Sequence, residues 1–229
     1  MYGVITYECP HKKTIEIIER CSDKINCILT IPFKERKKRK TFFNHRPYQF
    51  TGATPQEIGK SFGIEVFPLN SLKIEDKKFF TELVVGGAGI LSDSLVNNFK
   101  VVNAHPGLIP TTRGLDAFKW AIYFEEMIGV TIHQINEDVD FGLLIHHSIT
   151  EIEENDDIET FANRHFKNEL NCICDYILGN LKFKIIENLE IKKSRMRMNY
   201  EKEMIMVEQF NKYKKLFIGK MLIKEGKSI

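Results

Sequence analysis

The sequence predicts an α/β fold built on a mostly parallel sheet flanked by helices, on three observations. Strand-like and helix-like stretches alternate through the first two thirds of the chain. Leu83-Val84-Val85 is an unbroken apolar run of the kind found in a buried strand, and it passes directly into the turn Gly86-Gly87-Ala88-Gly89. The 229 residues, 43% hydrophobic and 28% charged, have the balance of a folded globular chain long enough for a buried core. In such a sheet, functional residues are expected at the C-terminal ends of the strands.

Tyr2 to Tyr7 reads as the first strand, His11 to Arg20 as a helix with Ile15, Ile17 and Ile18 turned inward, and Ile25 to Ile31 as the second strand. The basic run Phe33 to Lys40 leads into Phe42, Phe43, His45, Arg46, Tyr48 and Phe50. That stretch is too polar for core and too aromatic for a simple linker, so a surface excursion is expected. Thr54 can cap a helix whose first turn suits Pro55, and Gly63 stops it. Ile64 to Pro68 and Leu83 to Val85 follow as strands, Asp93 to Asn98 as a helix, and Val101 to His105 as a strand ended by Pro106 and Gly107. Leu115 to Glu126 carries Phe118, Ala121, Ile122 and Glu125 at helical spacing, while Val130 to Ile135 and Leu143 to Ile149 read as strands. Between Asp156 and Leu178 the spacing of Ile158, Phe161, Phe166, Leu170, Ile173 and Ile177 predicts a helix closed by Gly179-Asn180.

The character changes after Leu181, which divides the chain into an α/β unit over 1–180 and an extension over 181–229. One or two short strands are expected within Lys182 to Ile191, and a charged amphipathic helix over Tyr200 to Leu222 with Met204, Met206, Val207, Phe210, Tyr213 and Phe217 on its apolar face. That helix suits an intramolecular contact or a homodimer contact better than a membrane surface.

Thirty-three basic and 31 acidic residues leave a net charge of +2, which gives no global field for nucleic acid. Met1 to Tyr7 is followed by Glu8 and further charges, so neither a signal peptide nor a membrane span is expected and a cytoplasmic location is the default. Cys9, Cys21, Cys27, Cys172 and Cys174 are odd in number and irregular in spacing, which predicts reduced thiols. Cys172-Ile173-Cys174 lies in an apolar helical stretch, and the histidines show no ligand spacing, so no metal is expected.

The most informative stretch is Asn103-Ala104-His105-Pro106-Gly107-Leu108-Ile109-Pro110, continuing through Thr111 and Thr112 to Arg113-Gly114. Gly129-Val130-Thr131-Ile132-His133 and Asp138-Val139-Asp140-Phe141-Gly142 come after it. Together these resemble the catalytic domain of the folate-dependent formyltransferases. The family includes methionyl-tRNA formyltransferase, glycinamide ribonucleotide formyltransferase, formyltetrahydrofolate hydrolase and the nucleotide-sugar N-formyltransferases. The resemblance is carried by motifs between about Val84 and Ile152. It implies a Rossmann-like formyltransferase fold, 10-formyltetrahydrofolate as formyl donor, and Asn103, His105 and Asp140 as the catalytic trio.

The residue types make chemical sense on their own. Moving a formyl group to an amine passes through a tetrahedral centre bearing an oxyanion, which requires a hydrogen-bond donor and a group to manage the amine proton. Asn103 supplies a donor. His105, two residues on and on the same strand face, titrates near neutrality and can either donate to the oxyanion or take the amine proton. A carboxylate at Asp140 sets the pKa and orientation of that imidazole.

The resemblance also places the folate between Ala88, Gly89, Ile90 and Leu91 on one side and Asn136, Glu137, Asp138 and Val139 on the other. Small residues there let backbone groups approach the pterin edge, and Ile90 and Leu91 offer an apolar wall. A phosphate is expected at the first strand-to-helix turn in this architecture, with His11 and Lys12 as candidates. The turn, Glu8-Cys9-Pro10-His11-Lys12-Lys13, lacks the glycine- and asparagine-rich loop of the glycinamide ribonucleotide enzyme, which weakens the purine reading.

The residues after Thr150 leave no room for the tRNA enzyme's C-terminal barrel, and nothing before Met1 matches the hydrolase's regulatory domain. A small nucleotide-linked amino sugar is therefore the expected acceptor. Arg46, Tyr48 and Phe50 are candidates for its diphosphate and base, and Pro106, Gly107 and Arg113 for contacts at the strand end. The alternatives are glycinamide ribonucleotide, or a non-catalytic module using the basic run for nucleic acid.

Overall fold

The computed structural model describes residues 1–34, 39–138, 140–182 and 184–218. Seven strands form one sheet: β1 (Tyr2–Tyr7), β2 (Ile25–Ile31), β3 (Glu65–Pro68), β4 (Glu82–Val85), β5 (Val101–His105), β6 (Gly129–Gln134) and β7 (Leu143–Ile149). Their order across the sheet is β3-β2-β1-β4-β5-β6-β7. The pairings from β3 through β5 are parallel, and β6 and β7 add on antiparallel. The C-terminal ends of β1, β4 and β5 therefore lie side by side at one edge of the sheet, where the chain order reverses and ligands commonly bind.

Helices cover both faces. Along β1, Val4 packs into a cluster with Ile15, Ile17 and Ile18 of α1 (Lys12–Cys21) and Ile173 of α5 (Ile158–Leu178). The next residue, Ile5, packs on the opposite face with Leu29, Leu83, Val85 and Val101, as the period-two alternation of strand side chains requires. Between these lie α2 (Pro55–Phe62) and α3 (Asp93–Asn98). Thr54 and Glu57 form a reciprocal capping box ahead of Pro55, and Gly63 ends α2 at φ 66°.

A second apolar body joins α4 (Ala117–Tyr123), α6 (Tyr200–Glu208) and α7 (Phe210–Phe217) to α5 through Phe118, Phe161, Met206, Phe210 and Tyr213. The amphipathic tail therefore packs within the chain. It is two helices rather than one, because the chain turns at Gln209, whose side-chain amide donates to the Ile122 carbonyl at 2.8 Å. Leu222 lies outside the described residues. The short strands expected within 182–191 do not form: one isolated bridge, Lys184 with His146, pairs there among the described residues. Helix α4 is shorter than the spacing predicted, since Leu115 N–H bonds Arg195 O and Asp116 sits at φ 56°.

The excursion after β2 lies mostly at the surface, as expected, and its described part is fastened to the body at a few points. Arg39 and Lys119 both pair with Glu203, whose other oxygen accepts the Phe42 and Phe43 amides, and Phe43 is buried. Residues 35–38 of the basic run lie outside the described residues. All five cysteines are free thiols. No helix among the described residues is long and apolar enough to cross a membrane.

Candidate active site

Asn103 and His105 lie two apart on β5 and share its face, while the loop after β6 folds back and brings Asp140 to them. His105 Nδ1 stands 3.2 Å from Asp140 Oδ1, and His105 Nε2 stands 2.8 Å from the Thr112 carbonyl oxygen. Both partners are pure acceptors, so only the imidazolium, with a proton on each nitrogen, satisfies both contacts. Burial alone would lower the His105 pKa, but the Asp140 charge, its hydrogen bond and the Thr112 carbonyl raise it above the ordinary imidazole value. Asp140 is buried too, which works against its charge, yet His105 and the Gly114 amide bring its pKa down to about 2.

The backbone around the pair is built for it. Asp140 has φ 45°, a left-handed turn conformation that aspartate tolerates better than most residues. Its second oxygen accepts the Gly114 N–H at 2.8 Å. Gly114 has φ 92°, and a Cβ there would sit 2.1 Å from Arg195 O, so glycine is required. Gly107 is similarly constrained: its Cβ would lie 2.3 Å from Thr112 O, the carbonyl that holds His105.

Arg113 belongs to the same scaffold. Its Nε donates to the Asp140 carbonyl at 2.8 Å, and its guanidinium lies over the Phe141 ring. This arginine grips the aspartate loop from outside. The Pro106 and Gly107 carbonyls are engaged by His165 and by the Thr131 hydroxyl.

Asn103 Oδ1 faces Lys13 Nζ at 3.4 Å. Across the site His133, opposite Asn103 in the β5–β6 pairing, sets its ring edge-on to His105. His133 Nδ1 lies 3.1 Å from Phe141 O, its buried Nε2 has no hydrogen-bond partner among the described residues, and burial with the neighbouring His105 charge lowers its pKa to about 4. Sequence reasoning placed His133 on its strand without a role and passed over Lys13, Thr112 and Glu169.

Gly86 and Gly87 donate their amides to Ile5 O. Among the described residues the amides of Ala88, Gly89 and Ile90 make no backbone hydrogen bond. Ala88 and Leu91 are partly buried and, like Ile135, pack against the core cluster of Leu83 and Val85, whereas Ile90 is 93% exposed. Across from them, Asn136 Oδ1 accepts the Asp138 amide, and Glu137 accepts from Asn97 of α3. An apolar patch edged by uncommitted backbone amides fits a flat ring with an amide-like edge. Val139 lies outside the described residues.

The first strand-to-helix turn differs most from expectation. His11 is buried, its Nε2 meets the Gln49 amide at 3.0 Å, and burial with the neighbouring Lys13 lowers its pKa to about 3. It is neither a cation facing a phosphate nor a solvated helix start. Lys12 donates its amide to Gln49 O at 2.8 Å and pairs its side chain with Glu16. Arg46 is spent on Glu169 and lies over the Phe166 ring, while Tyr48 is exposed and Phe50 packs edge-on with His11 and at a tilt with Tyr7 and Phe33.

A mostly parallel sheet that gathers an asparagine amide and a histidine held by a carboxylate at its strand ends has the arrangement of a Rossmann-like group-transfer fold. Residues 79–177 match the formyl transferase family. Over that stretch the chain is similar to the formyltransferases, and relatives and solved structures of that activity extend the similarity. It is 28% identical over 130 residues to the phosphoribosylglycinamide formyltransferase of Bacillus subtilis (strain 168), which covers 49% of this chain and 67% of that one. It is 23% identical over 221 residues to the methionyl-tRNA formyltransferase of Prochlorococcus marinus (strain NATL2A), covering 92% of this chain and 60% of that one. The structure of a sugar N-formyltransferase from Shewanella sp FDAARGOS_354 superposes with a TM-score of 0.54 at 22% identity, over 86% of this chain and 76% of that one.

Proposed function

We propose that this chain transfers a formyl group from 10-formyltetrahydrofolate to the amine of a nucleotide-linked amino sugar. The folate supplies the activated formyl group, and Ala88–Leu91 with Asn136–Asp138 would hold its pterin. Asn103 Nδ2 donates where negative charge develops on the formyl oxygen. His105, protonated at rest, would have to let its Nε2 leave the Thr112 carbonyl, hand that proton to the leaving folate nitrogen and take back the proton that the attacking amine loses. One C–N bond breaks, one forms, and the imidazolium is restored. Asp140 keeps the ring charged and correctly turned, which is the purpose of holding a buried carboxylate ionised beside it.

The acceptor reading rests on one observation: the first of the orphan amides at the N-terminus of α1 is already taken. The amide of Lys12, which would otherwise face an anion, already bonds Gln49 O, and the His11 ring beside it is neutral. A helix N-terminus accommodates a phosphate through such orphan amides. A monophosphate at the first strand-to-helix turn, the position suited to glycinamide ribonucleotide, is therefore disfavoured. Exposed Tyr48 and partly exposed Phe33 and Phe50 offer ring faces for a nucleoside base beyond that turn.

The test is tetrahydrofolate release from 10-formyltetrahydrofolate with dTDP-amino sugars, with glycinamide ribonucleotide, and with no amine, each product identified by mass. Release with a dTDP-amino sugar supports the reading. Release with glycinamide ribonucleotide alone moves the chain to purine synthesis, and release without amine makes it a hydrolase.

A further inference from the structure

We propose that Lys13 is a positioning residue for Asn103, held by Glu169 and Arg46, and that this buried charge chain fixes the direction in which the Asn103 amide donates. The inference rests on the reading of Asn103 as the oxyanion donor.

Lys13 lies in the first turn of α1, yet only 5% of it is exposed. A buried ammonium is costly unless its donors are satisfied. Lys13 Nζ reaches Glu169 Oε1 at 2.9 Å, the Ala104 carbonyl at 3.1 Å and Asn103 Oδ1 at 3.4 Å. An ammonium donates and never accepts, so the amide end of Asn103 that faces it is the carbonyl oxygen. Nδ2 is thereby turned away from Lys13. Without that constraint the amide could rotate and present its oxygen to a developing negative charge, which repels it.

The rest of the chain holds Lys13 in place. Glu169 is as buried as its partner, and its other oxygen is taken by Arg46. Burial opposes its charge, but Arg46 and Lys13 outweigh this and bring its pKa down to about 2. A pair that merely joined α1 to α5 would need nothing from β5. Two of the three Lys13 contacts go to β5, one residue before His105 and at Asn103 itself.

A double-mutant cycle separates positioning from stability. The variants Lys13→Met, Asn103→Ala and the double are assayed with 10-formyltetrahydrofolate and whichever of dTDP-4-amino-4,6-dideoxyglucose and glycinamide ribonucleotide the unaltered chain formylates. Removing an oxyanion donor typically costs about 100- to 1000-fold in kcat, and misaiming one should cost about 10- to 100-fold. Lys13→Met should therefore lower kcat by about 10- to 100-fold, with KM for the folate and calorimetric tetrahydrofolate binding within about twofold. In the Asn103→Ala background it should add less than about twofold.

If Lys13→Met does not fold because Glu169 keeps Arg46 alone, Lys13→Met/Glu169→Gln removes both charges of the pair, leaves Arg46 an amide oxygen and takes its place in the cycle. Independent, multiplicative losses overturn the proposal, as does full kcat in Lys13→Met when Asn103→Ala is crippled. A crystal structure of Lys13→Met with the Asn103 side chain unmoved overturns it as well. Wild-type turnover in Asn103→Ala would instead overturn the role of Asn103, and that of Lys13 with it.

Discussion

Asp140 divides its two oxygens between His105 and the Gly114 amide, at 3.2 and 2.8 Å. One carboxylate thus ties the β5 histidine to the turn that ends in glycine, and it does so from a loop that Arg113 clamps at the Asp140 carbonyl.

Removing that charge should move the pH profile. The reacting His105 is protonated, so kcat/KM should fall as pH rises through its pKa, which lies above 6.5. In Asp140→Asn burial is no longer outweighed, the pKa drops, and the fall should begin at lower pH. A pH–rate series on both proteins measures this. An unmoved alkaline limb would detach Asp140 from the titration.

Stability should decline in mild acid. Burial lowers the pKa of His133 and His165 to about 4 and that of His11 to about 3, from 6.5. The unfolded chain takes up protons below pH 6.5 that these folded histidines refuse, so their contribution is complete above 6.5 and is lost as pH falls toward 4 and then 3. His105, with its raised pKa, works the opposite way: its contribution is complete below pH 6.5 and is lost as pH rises through the folded value. Burial lowers the pKa of His45, His146 and His147 as well, so six histidines oppose one, and urea midpoints should fall from pH 7 to pH 4.5, less steeply in His165→Gln.

Gly114→Ala should destabilise the fold by about 2 kcal/mol or more, through both the φ of 92° and the collision with Arg195 O. It should also depress turnover, because the Asp140 loop loses its seat. Urea denaturation and steady-state rates read the two effects separately.

Glu203 is wholly buried and is the shared partner of Lys119 and Arg39. Glu203→Leu leaves the Lys119 ammonium buried without its carboxylate and should cost about 3–5 kcal/mol. It should also release the segment 39–50, read as faster amide exchange at Phe42 and Phe43. Unchanged exchange there would show that other contacts hold the segment.

Much of this architecture is legible in the sequence because it is local. The β1 and β2 limits follow from apolar runs, and α2 from Thr54, Pro55, Glu57 and Gly63 acting within one short helix. Asn103 and His105 could be paired by strand period alone, whereas Asp140 was connected through the resemblance of its motif. What stayed hidden is long-range. Lys13 looks like a solvated first-turn lysine until Glu169, 156 positions away, is placed beside it. Arg46 looked free to meet a diphosphate until the same glutamate claimed it. Composition placed the excursion after β2 at the surface but could not show which of its residues, Arg39 and Arg46, pair with Glu203 of α6 and Glu169 of α5.

The most direct measurement is the rate of formyl transfer from 10-formyltetrahydrofolate to a dTDP-amino sugar by the unaltered chain and by His105→Asn, with folding and tetrahydrofolate binding checked in both. Transfer by the unaltered chain, and a loss of at least about 100-fold in a variant that still folds and binds folate, is the predicted result. Near-normal transfer by folded His105→Asn would contradict the account at its centre.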